Sequence, residues 1–219
     1  MLYLALSCLQ GRRSEEAVDD LMSLSPDGIQ LTPGNVPLSD FKEKFLDKNI
    51  PYLVHHGFEW DRIKRKVWEG NTCVAMEGAT VHPPTRPLTS EWMEQDRSFE
   101  TMYGSYGMGT GEGEGSVTEA MRANLPLVVD VSHIFIQLEQ GAMEMKTWES
   151  LQDYDNIVEV HVSTNQGRHD THQPMTEDGS FGFMWAKEKM REGTPLVVEC
   201  YMHKLSQEQR SQQVDWFRS

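Results

Sequence analysis

Residues 156–174 read NIVEVHVSTNQGRHDTHQP. The first half is apolar and β-branched, the composition of a buried strand. Directly after it come His161, His169, Asp170 and His172, in a chain that has only eight histidines. A strand that delivers metal-ligating residue types at its end suits a parallel α/β sheet, because there the strand C-termini open together on one face. Upstream, PLVVDVSHI (126–134) repeats the pattern and ends in Asp130 and His133.

The alternation extends outward in both directions. Strand candidates are LYLALS (2–7), DGIQLT (27–32), PYLVHH (51–56), ATVHP (79–83), SFETM (98–102), PLVVDVS (126–132), IVEVHVS (157–163) and PLVVEC (195–200). Between them lie amphipathic stretches at 14–24, 39–49, 116–124, 142–153, 180–193 and 206–218. Ser14 and Ser39 are placed to cap helix N-termini, and Gly193 to stop a helix. The helices after the third and fourth strands are expected to be short. Eight strand–helix units at roughly 27 residues each imply a compact (β/α)₈ TIM barrel, with residues 1–219 as a single domain. A doubly wound open sheet is the structural alternative. No GxGxxG follows the first strand, and the glycine run YGMGTGEGEG (106–115) reads as a loop.

Composition narrows the function. A hydrophobic content of 38% supports a real core, and no apolar run approaches membrane-spanning length. The N-terminal apolar run has no basic segment before it, which argues against a secretory leader. Cys8, Cys73 and Cys200 are too few and too widely spaced for a disulfide framework, so a reducing, cytoplasmic setting is expected. Acidic residues outnumber basic ones 34 to 20, giving a formal charge of −14 that counts against duplex DNA as partner. The basic run DRIKRKVW (61–68) reads as a solvated helix face.

In a barrel, the polar residues at strand ends converge. His55 and His56 end the third strand and His82 the fourth; Glu100 lies in the fifth; Asp130 and His133 end the sixth; His161 ends the seventh; Glu199 ends the eighth. Asp170 and His172 follow on the same rim, and His203 with Lys204 comes just after Glu199. Burying that many carboxylates unpaired costs several kcal/mol each, and few Arg or Lys residues are at hand. Divalent cations are the simplest compensation. The mixture of imidazole and carboxylate suits zinc, manganese or iron, and is too rich in nitrogen for magnesium or calcium. So many donors suit two or three ions rather than one.

The series resembles the xylose isomerase-like barrel superfamily, and within it the endonuclease IV type of site. The residues that carry the resemblance are His82-Pro83, Glu100, Asp130-Val-Ser-His133, His161, Asp170-Thr-His172 and Glu199, in that order. The resemblance implies one ion on His55 (or His56), His82 and Glu100, with Glu100 bridging. It implies a second on Asp130, His161 and Glu199, and a third on His133, Asp170 and His172. Glu77 is a rival for the bridging role, and no basic or aromatic insertion of the kind that enters a DNA duplex is found.

The leading expectation is a hydrolase of a small phosphorylated or anionic substrate, with a metal-bound hydroxide as nucleophile and His203 or Lys204 as proton donor to the leaving group. The alternative is a metal-dependent sugar (phosphate) isomerase or epimerase, in which Glu100 and Glu199 exchange a proton with the substrate. A third reading is a multi-iron oxidative enzyme acting on a peptide or small metabolite. A barrel left partly uncovered by short third and fourth helices has room for a partner protein or a second subunit.

Overall fold

A computed structural model describes residues 1–9, 14–31, 49–56, 80–82, 98–103, 117–176 and 180–219. The described strands are β1 (Leu2–Ala5), β2 (Gly28–Leu31), β3 (Tyr52–His56), β4 (Thr80–Val81), β5 (Ser98–Glu100), β6 (Leu127–Asp130), β7 (Ile157–Val162) and β8 (Leu196–Val198). All pair in parallel and in chain order. Leu2, Tyr3 and Leu4 of β1 pair with Leu196, Val197 and Val198 of β8, so the sheet closes on itself. That closure settles the choice between a TIM barrel and an open sheet.

Most strands alternate between two buried faces, which is why they read as apolar runs rather than as alternating ones. Outward residues such as Leu4, Ile29, Val129 and Val160 join Leu21, Ile134, Leu151, Ala186 and Val214 of the surrounding helices in one core cluster. Each Leu, Ile or Val among them, fully buried, contributes about 1.5–3 kcal/mol. At the N-terminal end of the lumen, Gly28 sits against Tyr3. A Cβ on Gly28 would lie 2.4 Å from the Pro51 carbonyl oxygen and 2.5 Å from the Tyr3 ring, so no larger residue fits.

The described helices are α1 (Ser14–Met22), α2 (Val117–Arg122), α3 (Val131–Glu139), α4 (Met145–Gln152), α5 (Phe183–Arg191) and α6 (Gln207–Arg218). A 3₁₀ turn at Leu6–Leu9 follows β1, so that strand is shorter than its apolar run suggests. Ser206 caps α6 in a reciprocal box with Gln209, and Gly193, with φ 108°, follows the end of α5 as expected.

One helix was not anticipated. The run VSHIFIQLE reads as a continuation of the sixth strand because it is apolar and β-branched, yet α3 starts at Val131, one residue after β6 ends. The reason is Asp130, whose Oδ1 accepts from the Ser132 and His133 backbone N–H groups at 2.7 and 3.1 Å. Its carboxylate satisfies the orphan donors of a helix N-terminus and so turns the chain sharply out of the barrel. His133 is therefore a helix residue rather than a strand-end residue. The expected helix at 39–49, the basic run 61–68, Cys73, Glu77, Pro83 and the glycine run 106–115 lie outside the described residues, apart from Asn49 at the helix's last position. Cys8 and Cys200 are buried free thiols, as their apolar settings suggested. Among the described residues no helix is long and apolar enough to cross a membrane.

Candidate metal centre

The rim residues meet at the C-terminal end of the barrel. Ligand atoms of Glu100, Asp130, His161 and Glu199 lie within 4.8 Å of one another, as do those of His55, Glu100 and His161. His82 Nε2 approaches Glu100 Oε2 at 2.8 Å and His55 Nε2 approaches the same oxygen at 3.1 Å. The His161 Nδ1 atom stands 3.5 Å from both Glu100 Oε1 and Glu199 Oε1. The side chain of His56 lies outside the described residues, and His55 is the histidine that reaches Glu100.

A third group adjoins these two. Asp170 Oδ2 lies between His133 Nε2 at 3.2 Å and His172 Nε2 at 2.8 Å. His172 has φ +44°, a left-handed conformation that residues other than glycine adopt at a cost. The rings of Tyr103 and Tyr201 lie 4.8 and 5.0 Å from those of His133 and His172. His169 is exposed and belongs to neither metal-ligand group. His203 is half-buried with its ring 5.9 Å from Tyr201, and Lys204 is exposed.

The orientation of the histidines decides what the centre can do. His55 donates from Nδ1 to the Thr80 carbonyl at 3.3 Å, and His133 donates from Nδ1 to the Thr101 carbonyl at 2.9 Å. His161 donates from Nε2 to Glu159 Oε1 at 2.6 Å. In each ring one nitrogen is held by an acceptor behind it, which turns the other toward the carboxylates. Outer hydrogen bonds of this kind fix the tautomer of a metal-ligating histidine.

Glu159 was missed in the sequence reading, although a charged residue two positions before His161 in an apolar strand faces the same way as His161. Gln30 Nε2 donates to Glu159 Oε1 at 2.6 Å, and Thr80 Oγ1 donates to Glu159 Oε2 at 3.3 Å. Gln30 is on β2 and Glu159 on β7, so this bond crosses the lumen. Thr101 supports the other side: its hydroxyl accepts from the Asp130 backbone N–H at 3.0 Å.

Charge is unevenly spread over the centre. Burial pushes the Glu100 carboxyl upward, but the rings of His82, His55 and His161 outweigh it and hold the group well below the usual range. Burial dominates at Glu199 and raises it. At His161 and His133 burial opposes the charged form, yet Glu199 and Asp130 respectively, with other carboxylates, raise both well above the ordinary value. His82 is lowered by burial. In the metal-free protein the neighbouring carboxylates thus favour the protonated form of His161 and His133, but not of His82.

A divalent cation fits this donor set. Among the described residues Asp130 Oδ2 and His161 Nδ1 are buried with no hydrogen-bond partner, and Glu100 Oε2 makes none despite its close histidine neighbours. Among the described residues no Lys or Arg pairs with Glu100, Asp130, Glu159 or Glu199. The converging oxygen and nitrogen atoms are the donors a cation requires, and its binding would displace protons from the raised histidines. Glu100, Asp130, His161 and Glu199 would hold one ion, with His55 and His82 on the other side of Glu100.

No protein-family model and no curated protein matches the sequence. Solved structures do match over nearly the whole chain. A D-tagatose 3-epimerase-like protein aligns with a TM-score of 0.62 and 15% identity over 99% of this chain and 97% of its own. What is shared with that structure is the fold, a closed barrel of eight parallel strands. D-allulose 3-epimerase from Methylomonas sp. aligns with this chain at a TM-score of 0.61 and 13% identity, covering 99% and 96% of the two chains. The probable 3-DHS dehydratase AsbF of Bacillus anthracis, involved in petrobactin synthesis, aligns at 0.62 and 11%, covering 100% and 98%.

Proposed function

We propose that this xylose isomerase-like barrel is a metal-dependent epimerase or isomerase of a small hydroxy-carbonyl compound of the sugar class. The observation that carries the reading is the pair Glu100 and Glu199, both buried, reaching the same His161 nitrogen from two different strands, β5 and the end of β8. Their environments push them apart, Glu100 downward and Glu199 upward. Paired titratable groups displaced in opposite directions are the mark of a base and an acid.

In this reading Glu100 takes the proton from the carbon next to the carbonyl and Glu199 gives one back to the opposite face or the neighbouring carbon. A cation on Glu100, Asp130, His161 and Glu199 would supply Lewis-acid polarisation of the substrate oxygens. His161 is held in place by Glu159, and the rings of Tyr103 and Tyr201 pack beside His133 and His172. The structural neighbours named as epimerases favour this chemistry over hydrolysis. A small-molecule substrate suits the enclosed centre, and the charge of −14 disfavours nucleic acid.

Hydrolysis stays as a second reading because Asp170 sits between His133 and His172 with a strained backbone beside it. One experiment separates the two. Protein purified without added metal or chelator is analysed for metal by mass spectrometry, then incubated with a panel of ketoses in deuterated water. Exchange of the carbon-bound proton is expected, with a loss of about 10²–10⁴-fold in Glu100→Gln and in Glu199→Gln. The double variant Asp170→Asn, His172→Ala should keep the exchange. Turnover of phosphoesters that vanishes in that double variant, with no exchange on any ketose, would overturn the proposal in favour of hydrolysis. Iron as the resident metal would favour oxidative chemistry.

A further inference from the structure

Beneath the metal centre a glutamine from across the barrel meets the ring of a candidate ligand. Gln30 on β2 and the pair Glu159 and His161 on β7 are all buried. Gln30 Nε2 lies 2.6 Å from Glu159 Oε1 and 3.0 Å from His161 Nε2, and His161 Nε2 lies 2.6 Å from the same Glu159 oxygen. The other oxygen, Oε2, accepts from Thr80 Oγ1 at 3.3 Å. One carboxylate oxygen and two nitrogens therefore share a small triangle.

Donor and acceptor rules leave that triangle one arrangement. An ionised carboxylate only accepts, so both nitrogens donate to Glu159 Oε1. His161 then carries a proton on Nε2, and Nδ1, 3.5 Å from Glu100 Oε1 and from Glu199 Oε1, is the atom left to ligate. Without the Glu159 carboxylate the two nitrogens can bond each other only if one of them accepts. An amide nitrogen does not accept, so His161 Nε2 would, and the ring proton would move to Nδ1. That tautomer presents an N–H to the cation and cannot ligate. Gln30 thus supports the ligating tautomer through Glu159, and would favour the wrong one in its absence.

We propose that Gln30 is a positioning residue of the metal centre: paired with Glu159 across the lumen, donor on β2 and acceptor on β7, it fixes which His161 nitrogen meets the cation. The inference rests on the reading that the centre holds a divalent cation, and does not depend on the reaction. It gives β2, which supplies none of the candidate ligands, a part in the site.

The test exchanges the two roles. Zinc affinity is measured by competition with a chromophoric chelator, and NMR of the imidazole nitrogens in the zinc-loaded protein shows which His161 nitrogen carries a proton. Circular dichroism checks that each variant is folded. Glu159→Ala should weaken zinc binding by about 10–100-fold. Adding Gln30→Glu to that variant returns an acceptor to His161 from β2, and should regain about 10-fold with the proton back on Nε2. In the parent, where position 30 has to donate, Gln30→Glu should give no gain. Gln30→Met, close in shape but without the donor, should weaken zinc binding by about 3–10-fold, the loss of one hydrogen bond. A carboxylate acting by charge alone would strengthen zinc binding in both backgrounds, which overturns the proposal. So does a folded double variant no better than Glu159→Ala, or a Gln30→Met variant that binds zinc as the parent does. A parent protein that binds no zinc overturns the metal reading and this inference together. Zinc binding with the expected pattern but no proton exchange on any ketose sinks the epimerase or isomerase reading alone.

Discussion

Removing the carboxylate behind His161 tests the logic of the centre most directly. Glu159 accepts from His161 Nε2 and Gln30 Nε2, both at 2.6 Å, and from Thr80 Oγ1 at 3.3 Å. Glu159→Ala removes the acceptor of two buried donors, Gln30 Nε2 and His161 Nε2, which keep only each other at 3.0 Å, at about 1–3 kcal/mol for each bond lost. Because the substitution also relieves crowding among buried carboxylates, the net destabilisation should lie near the low end, about 2–4 kcal/mol. For a domain of this size that lowers Tm by about 5–12 °C. The functional effect should be separate. With its Nε2 released, His161 is free to rotate or change tautomer, and metal affinity should fall about 10–100-fold. Glu159→Gln keeps one acceptor oxygen and should fall between Ala and the parent in both respects. Competition titration with a chromophoric zinc chelator measures the affinity, and thermal melts with and without zinc measure the stability. If Ala and Gln variants both bind zinc as the parent does, Glu159 does not orient His161, and the outer-bond argument for the centre fails.

Two further outcomes follow from the same structure. In metal-free protein burial opposes charge on His172, but Asp170 raises it to about 9 from an ordinary value of 6.5. Its contribution to stability is therefore whole below 6.5 and is lost as pH rises through about 9. Burial opposes charge on Asp170 too, yet the two histidines hold it below its ordinary 3.8, so its contribution is present above 3.8 and lost on acidification. An NMR titration of His172 should give a midpoint near 9 that returns toward 6.5 in Asp170→Asn; a midpoint near 6.5 in both would show that the pair does not form. At the other end of the barrel, Gly28→Ala places a methyl 2.4 Å from the Pro51 carbonyl oxygen and should cost about 1–3 kcal/mol or more by urea denaturation. An unchanged midpoint would mean that β2 and β3 can move apart at no cost.

Much of the centre was legible before folding because ligand types at strand ends are a positional signal. Glu100, Asp130, His161 and Glu199 each close an apolar run, and in a barrel that position alone brings them together. The supports were harder to see. Thr80 and Thr101 hold the His55 and His133 rings through backbone carbonyls, which any residue type supplies. Gln30 looked like an ordinary polar residue in a strand, since its partner Glu159 is 129 positions away. The helix beginning at Val131 was hidden for another reason. Its apolar, β-branched composition favours a strand locally, and the Asp130 side chain that ends the strand is also a predicted ligand, so its capping role went unread.

By itself the sequence determined the periodicity: apolar runs long enough for strands, separated by amphipathic stretches, with metal-ligating residue types where the strands stop. Those are local properties, set by side-chain volume, branching and polarity over a few residues. Only the tertiary structure decided that β1 would close on β8, that His55 would reach Glu100, and that each histidine would present a particular nitrogen to the carboxylates. The tautomer of a buried imidazole depends on what stands behind it. Here that is a carbonyl or a carboxylate from another part of the chain, brought into place by closure of the barrel.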